Sequence, residues 1–255
     1  MAANEPGQPN PAAALISHNL PVPASALAIG AHPDDVEFGC GATLAKWAAA
    51  GCVVHHLVLT DGSKGTWNPD ADVPALIAAR QLEQREAARR LSGASAGEVV
   101  FLGQVDGELQ SSLALRGEVA RVIRRLRPQV ILAHDPWKRY RLHPDHREAG
   151  LLACDGVVAA RDPHFFKEHG LPSHRPETLL LWEADTVHHV EDVTGFVARK
   201  LHALAAHESQ FESTMKAVDA DQMAAFDARI TRRLAGLGEP YGHAAAEVFA
   251  KISDL

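Results

Sequence analysis

From residue 26 onward, short apolar runs alternate with longer stretches whose apolar positions recur every three or four residues. The runs at 26–31, Val53–Thr60, 98–103 and Val130–His134 have strand length, and amphipathic segments at 41–50, 74–91, 115–126 and 146–160 follow them in turn. This alternation predicts βαβ units and an α/β fold built on a mostly parallel sheet with right-handed crossovers. Thr178–Trp182 reads as a fifth strand and 196–207 and 215–237 as two later helices, while 245–252 suits either a short helix or a strand. Residues 1–25, rich in Ala, Pro and Asn, show neither period and read as a flexible leader, which leaves 26–255 as a single domain.

Composition narrows the functional classes. A hydrophobic fraction of 46% and a charged fraction of 22% over 255 residues describe an ordinary globular chain with a sizeable core. The net charge of −7 argues against a broad basic face, so no nucleic acid is expected as a partner. Three cysteines, Cys40, Cys52 and Cys154, without a C-x-x-C spacing support neither a disulfide framework nor a thiolate zinc cage. No apolar run is long enough to span a bilayer, and the first basic residue is Lys46, so neither a membrane partner nor a secretory signal is expected and the location reads as cytoplasmic. Homo-oligomers remain compatible with all of this. The unusual count is 15 histidines.

Ligands in open α/β sheets bind outside the carboxyl ends of the strands, and the residues that follow each strand here are polar. The first strand runs into His32-Pro33-Asp34-Asp35, the second into residues 61–67, the third reaches Asp106, and the fourth leads through His134-Asp135-Pro136-Trp137 to His143-Pro144-Asp145-His146. His32, Asp35 and His146 make a two-histidine, one-carboxylate set suited to Zn²⁺ or Fe²⁺, and three protein ligands leave a coordination position open, as catalytic sites require. Asp34, adjacent to a ligand, is placed to take a proton from water and return it to a leaving amine. His143, one turn before another ligand, is placed to stabilise a developing oxyanion. The parts suit metal-assisted hydrolysis of an amide.

The run from Ala31 to Gly41, the His143-Pro144-Asp145-His146 motif and the downstream Lys200-x-x-Ala203-x-x-x-His207-x-Ser209-Gln210 resemble the PIG-L and LmbE-like N-acetylglucosaminyl deacetylases over residues 27–249. The resemblance implies the LmbE-like form of a Rossmann-like three-layer sandwich. It also implies a zinc enzyme that removes acetyl from a 2-acetamido sugar or its conjugate, with His32, Asp35 and His146 as metal ligands, Asp34 as general base and His143 as the oxyanion or acid group. Arg80 and Asp106 match positions where relatives hold sugar hydroxyls. Where many relatives carry a Glu-rich loop after the second strand, this chain has Asp61-Gly62-Ser63-Lys64-Gly65-Thr66-Trp67. Two alternatives are a zinc hydratase or lyase acting on an unsaturated acid and a non-catalytic carbohydrate-binding homologue. Some relatives with an altered first motif catalyse hydration, whereas the first motif is intact here.

Other signals carry blander readings. Gly93-Ala94-Ser95-Ala96-Gly97 has the spacing of a serine-hydrolase elbow but precedes a strand instead of following one, so it reads as a loop. Cys40 reads as a small buried residue. Trp67, Trp137 and Tyr140 fall on the catalytic edge, either to stack on a sugar or to pack under a loop, and Lys138, Arg139 and Arg141 read as a solvated run or a contact for an anionic substituent.

Overall fold

The computed structural model of the protein describes residues 16–255. The strands are β1 (Ser17–His18), β2 (Ser25–Gly30), β3 (Val53–Thr60), β4 (Ala96–Gln104), β5 (Val130–His134), β6 (Thr178–Trp182), β7 (His189–Asp192) and β8 (Ala246–Ser253). The helices are α1 (Asp35–Ala49), α2 (Val73–Ser92), α3 (Leu113–Leu126), α4 (Pro144–Arg161), α5 (Val197–Leu204) and α6 (Ala220–Gly238). Among the described residues the strands form one sheet in the order β1-β7-β8-β6-β5-β2-β3-β4. Every pairing is parallel except those of β8, which runs antiparallel to both β6 and β7.

The central strands are buried on both faces, and the period of two sorts their side chains. Leu27, Ile29, Ile131, Ala133, Leu179 and Leu181 pack on the α3–α4 side. Ala26, Ala28, Val130, Leu132, Leu180 and Trp182 pack on the α1 side. Such strands lack the alternation of a half-exposed sheet, as expected where crossover helices cover both faces. Side-chain caps start three helices: Asp72 accepts from Ala75 N, Ser112 from Leu115 N and Asp219 from Gln222 N.

The helix that carries the first motif is broken. Cys40 has φ −144°, outside the helical range, and the amides of Ala42 and Thr43 donate to Glu247 of β8 at 3.1 and 2.8 Å. Lys200 of α5 pairs with Glu247 at 2.6 Å and donates to the carbonyl of Phe38 at 2.8 Å. One buried ion pair therefore ties both halves of α1 to the antiparallel strand β8.

Four features differ from the sequence reading. Residues 1–15 of the expected leader lie outside the described residues, but its last stretch is built in: β1 pairs with β7, and Leu20 N donates to Glu191 Oε1 at 2.8 Å. A two-residue strand is too short to register as a period. The helix read from 215 begins only at Ala220, because the chain first makes a π-type turn over Phe211–Met215 and Asp219 then supplies the cap. The ambiguous segment at 245–252 is strand β8, decided by pairing on both edges, and β7 has no separate signal in the pattern. No described helix is long and apolar enough to cross a membrane.

Candidate active site

A cavity of about 460 Å³ opens at the carboxyl ends of the parallel strands, and His32, Asp34, Asp35, Arg80, Asp106, His143 and His146 all line it. His32 lies two residues past the end of β2, Asp35 opens α1, Asp106 follows β4, Arg80 comes from α2, His143 is the N-cap residue of α4 and His146 lies in its first turn. The two motifs, more than a hundred positions apart, meet: Asp35 Oδ1 lies 3.2 Å from His146 Nε2, and Asp35 Oδ2 lies 3.2 Å from His32 Nδ1 and accepts the His32 backbone N–H at 2.7 Å. The rings of His32 and His146 are 5.2 Å apart between centroids.

The donor set fits a divalent cation. Nitrogen and oxygen atoms of His32, His143 and His146 lie within 4.8 Å of one another, as do those of Asp35, His134 and His146 and those of His32, Asp106 and Asp145. Each group contains a ligand read from the sequence, and none contains all three. Burial pushes the His32 imidazole down, yet its contacts with Asp106, Asp145 and Asp35 outweigh burial and hold it well above the usual histidine value. Burial likewise opposes ionisation of Asp35, but His146 and His134 bring it well below the usual carboxylate range. Carboxylates gathered this tightly call for positive charge between them.

Asp34 is in a different state. Burial, helped by the charge of Asp35, pushes its carboxyl up to about 6 against the pull of Arg80. Its backbone has φ 106°, a conformation that costs a non-glycine residue roughly 1–3 kcal/mol. Two side chains from α2 hold it there. Arg80 donates to the carbonyls of Pro33 at 2.6 Å and Gly62 at 2.8 Å and reaches Asp34 Oδ2 at 3.4 Å, while Gln84 Oε1 accepts the Asp34 N–H at 2.8 Å. A Cβ on Gly65 would stand 2.1 Å from Arg80 Nη1, so the glycine-rich loop after β3 is what lets the guanidinium in.

Several contributors went unread in the sequence. Asp145, the middle of the second motif, is fully buried. Its Oδ2 lies 3.1 Å from His32 Nε2, and its two oxygens accept the amides of Gly107 and Leu109. Glu37, also fully buried, accepts from Gln84 Nε2 at 2.9 Å and lies 3.3 Å from His207 Nε2. The downstream motif is thus a buttress: Lys200 holds Glu247, His207 meets Glu37, Ser209 bonds Glu83, and Gln210 reaches the carbonyl of Gly65. His134, at the end of β5, carried a signal in its polar strand-end position but no spacing that marked it. Cys40 is buried with its thiol pushed well up by that burial, which suits a packing residue. Trp67, Trp137 and Tyr140 are 80%, 63% and 86% exposed and pack under no loop.

Fold and site together define an α/β protein with a cluster of buried histidines and carboxylates at the carboxyl edge of its sheet. Residues 27–155 match the PIG-L family, described as GlcNAc-PI de-N-acetylase, and the chain belongs to that family. It is 35% identical over 188 residues to the diacetylchitobiose deacetylase of Thermococcus kodakarensis, covering 72% of this chain and 69% of that one. It is 29% identical over 206 residues to a 1D-myo-inositol 2-acetamido-2-deoxy-alpha-D-glucopyranoside deacetylase of Catenulispora acidiphila, covering 68% of this chain and 62% of that one. The solved N,N'-diacetylchitobiose deacetylase of Pyrococcus horikoshii superposes with a TM-score of 0.81 at 29% identity, over 91% of this chain and 84% of that chain. The relatives are named deacetylases, hydrolases of amide C–N bonds, and the family is one of enzymes.

Proposed function

We propose that this protein hydrolyses the acetamide of an N-acetylated amino sugar or its conjugate, releasing acetate and the free amine. The observation that carries this reading is the meeting of both His-Pro-Asp motifs in one cavity around Asp35. The names of the relatives supply the substrate class.

His32, Asp35 and His146 hold a divalent cation, Zn²⁺ or Fe²⁺, in this reading. When bound, such a cation supplies Lewis acidity and lowers the pKa of water from 15.7 to about 7. Asp34, ionised above about pH 6, takes the proton of the attacking water; the new C–O bond forms, the C–N bond breaks, and Asp34 returns the proton to the leaving nitrogen. His143 is exposed at the rim, with its imidazole kept below the usual value by partial burial and by His32 and His146, and through a ring N–H it donates a hydrogen bond to the carbonyl oxygen as charge develops. Arg80 fixes Asp34 and, with Asp106, holds hydroxyls of the sugar.

The test is incubation of the metal-loaded protein with a panel of acetamido sugars while primary amine and acetate are followed together. Equimolar release that disappears in Asp34→Asn is the expected result. Hydration of an enol substrate without amine release, or full turnover in Asp34→Asn, would overturn the reading.

A further inference from the structure

His134 lies outside both motifs, yet it touches two of the residues that the proposed function gives to the metal. Its ring is buried and stacks on His146, with centroids 4.3 Å apart and planes 17° from parallel. Its Nδ1 accepts the indole N–H of Trp182 at 3.0 Å, and Arg141 Nη1 lies 3.3 Å from the same nitrogen. Its Nε2 is buried without a well-directed hydrogen bond, and Asp35 Oδ2 lies 3.2 Å from it.

Indole and guanidinium N–H groups are donors and never acceptors. The nitrogen they both face therefore presents its lone pair, and the one proton of the neutral ring sits on Nε2. That decides a question distance leaves open. His134, Asp35 and His146 are close enough to form a ligand trio, but a ligand offers a lone pair, and the lone pair of His134 is on Nδ1, taken by Trp182, and not on the Nε2 that faces Asp35. Trp182 is fixed in turn, because only a glycine at position 39 allows the indole to approach: a Cβ there would stand 2.6 Å from it.

We propose that His134 is a positioning residue for the metal centre and not a ligand: its Nε2–H steadies the Asp35 carboxylate while its ring face backs His146. The inference rests on the reading of this cavity as a metal site. Partners of this kind orient ligands, and their loss costs about 10- to 100-fold in metal affinity.

Two measurements test it. In long-range proton–nitrogen spectra of the ¹⁵N-labelled full chain, the His134 signals, identified by their loss in His134→Gln, should show a bare Nδ1 and a protonated Nε2 both before and after Zn²⁺ is added. A proton on Nδ1, or loss of the Nε2 proton when zinc binds, overturns the proposal. Zinc affinity by chelator competition gives the second readout. His134→Phe, which keeps a stacking face and loses the N–H, should bind about 10- to 100-fold more weakly. His134→Gln, which restores an N–H donor, should recover most of that loss. A His134→Phe variant with parental affinity, or one as weak as His146→Ala, overturns the inference alone. A parent chain that binds no zinc overturns the metal reading and this inference with it.

Discussion

Gln84 Oε1 accepts the backbone N–H of Asp34 at 2.8 Å, and the same side chain donates to Glu37 at 2.9 Å. The left-handed backbone of Asp34 is thus held from behind by a fully buried amide that bridges it to a buried carboxylate. Gln84→Leu strands both partners, which costs about 1–3 kcal/mol for each unsatisfied group. A lower Tm and a drop in kcat larger than any change in KM are the expected outcomes. A variant with parental kcat would show that Asp34 needs no such support.

In the proposed mechanism the protonation of Asp34 sets the acid side of the activity. With its carboxyl pushed up to about 6 by burial and Asp35, kcat should rise with pH through about 6 and then level off. Arg80 pulls that value down, so Arg80→Met should move the acidic limb to higher pH. A limb that stays in place would separate it from Asp34.

The same shift has a consequence for stability. Because the native Asp34 binds its proton more tightly than the unfolded chain does, its contribution favours folding at low pH and is lost as pH rises through about 6. In metal-free protein, Asp34→Asn should therefore raise Tm at pH 8 and leave it nearly unchanged at pH 4. Thermal melts at the two pH values distinguish this from a uniform effect of the substitution.

Metal binding should couple to folding through His146. A chelator should lower the Tm of the parent chain, since a ligand that binds only the folded state stabilises it. His146→Ala should show reduced metal content by plasma emission and no chelator response. Equal metal content in variant and parent would remove His146 from the ligand set.

Lys200 and Glu247 pair at 2.6 Å with both side chains almost wholly buried. Lys200→Met leaves the Glu247 charge uncompensated, a change that typically costs about 3–5 kcal/mol. Denaturant titration should show that loss, and Glu247→Gln should also destabilise the fold, because it leaves the buried Lys200 ammonium without its counter-charge.

The strands and helices that frame the cavity were legible because local pattern and tertiary role agree: doubly buried strands such as Val130–His134 read as apolar runs, and the residues just past them read as polar. The motif residues were legible because they stand just past strand ends at fixed spacings, and the structure brings them to one cavity. What escaped was whatever depends on partners distant in sequence. β8 needed two neighbours to become a strand, β1 needed β7, and His134, Gln84, Glu37 and Asp145 acquire their meaning only from the atoms opposite them. The broken helix at Cys40 belongs to the same class, since its free amides are answered by a carboxylate 204 positions away.

That break bears on how the enzyme is assembled. The portion matching the family, residues 27–155, contains every residue of the proposed site, yet the bend in the helix that Asp35 opens is clamped by Lys200 and Glu247, which a ribosome adds much later. The bend in α1 therefore cannot be clamped until residue 247 has been made, and a fragment cut after the second motif would keep the residues of the proposed site while losing that brace.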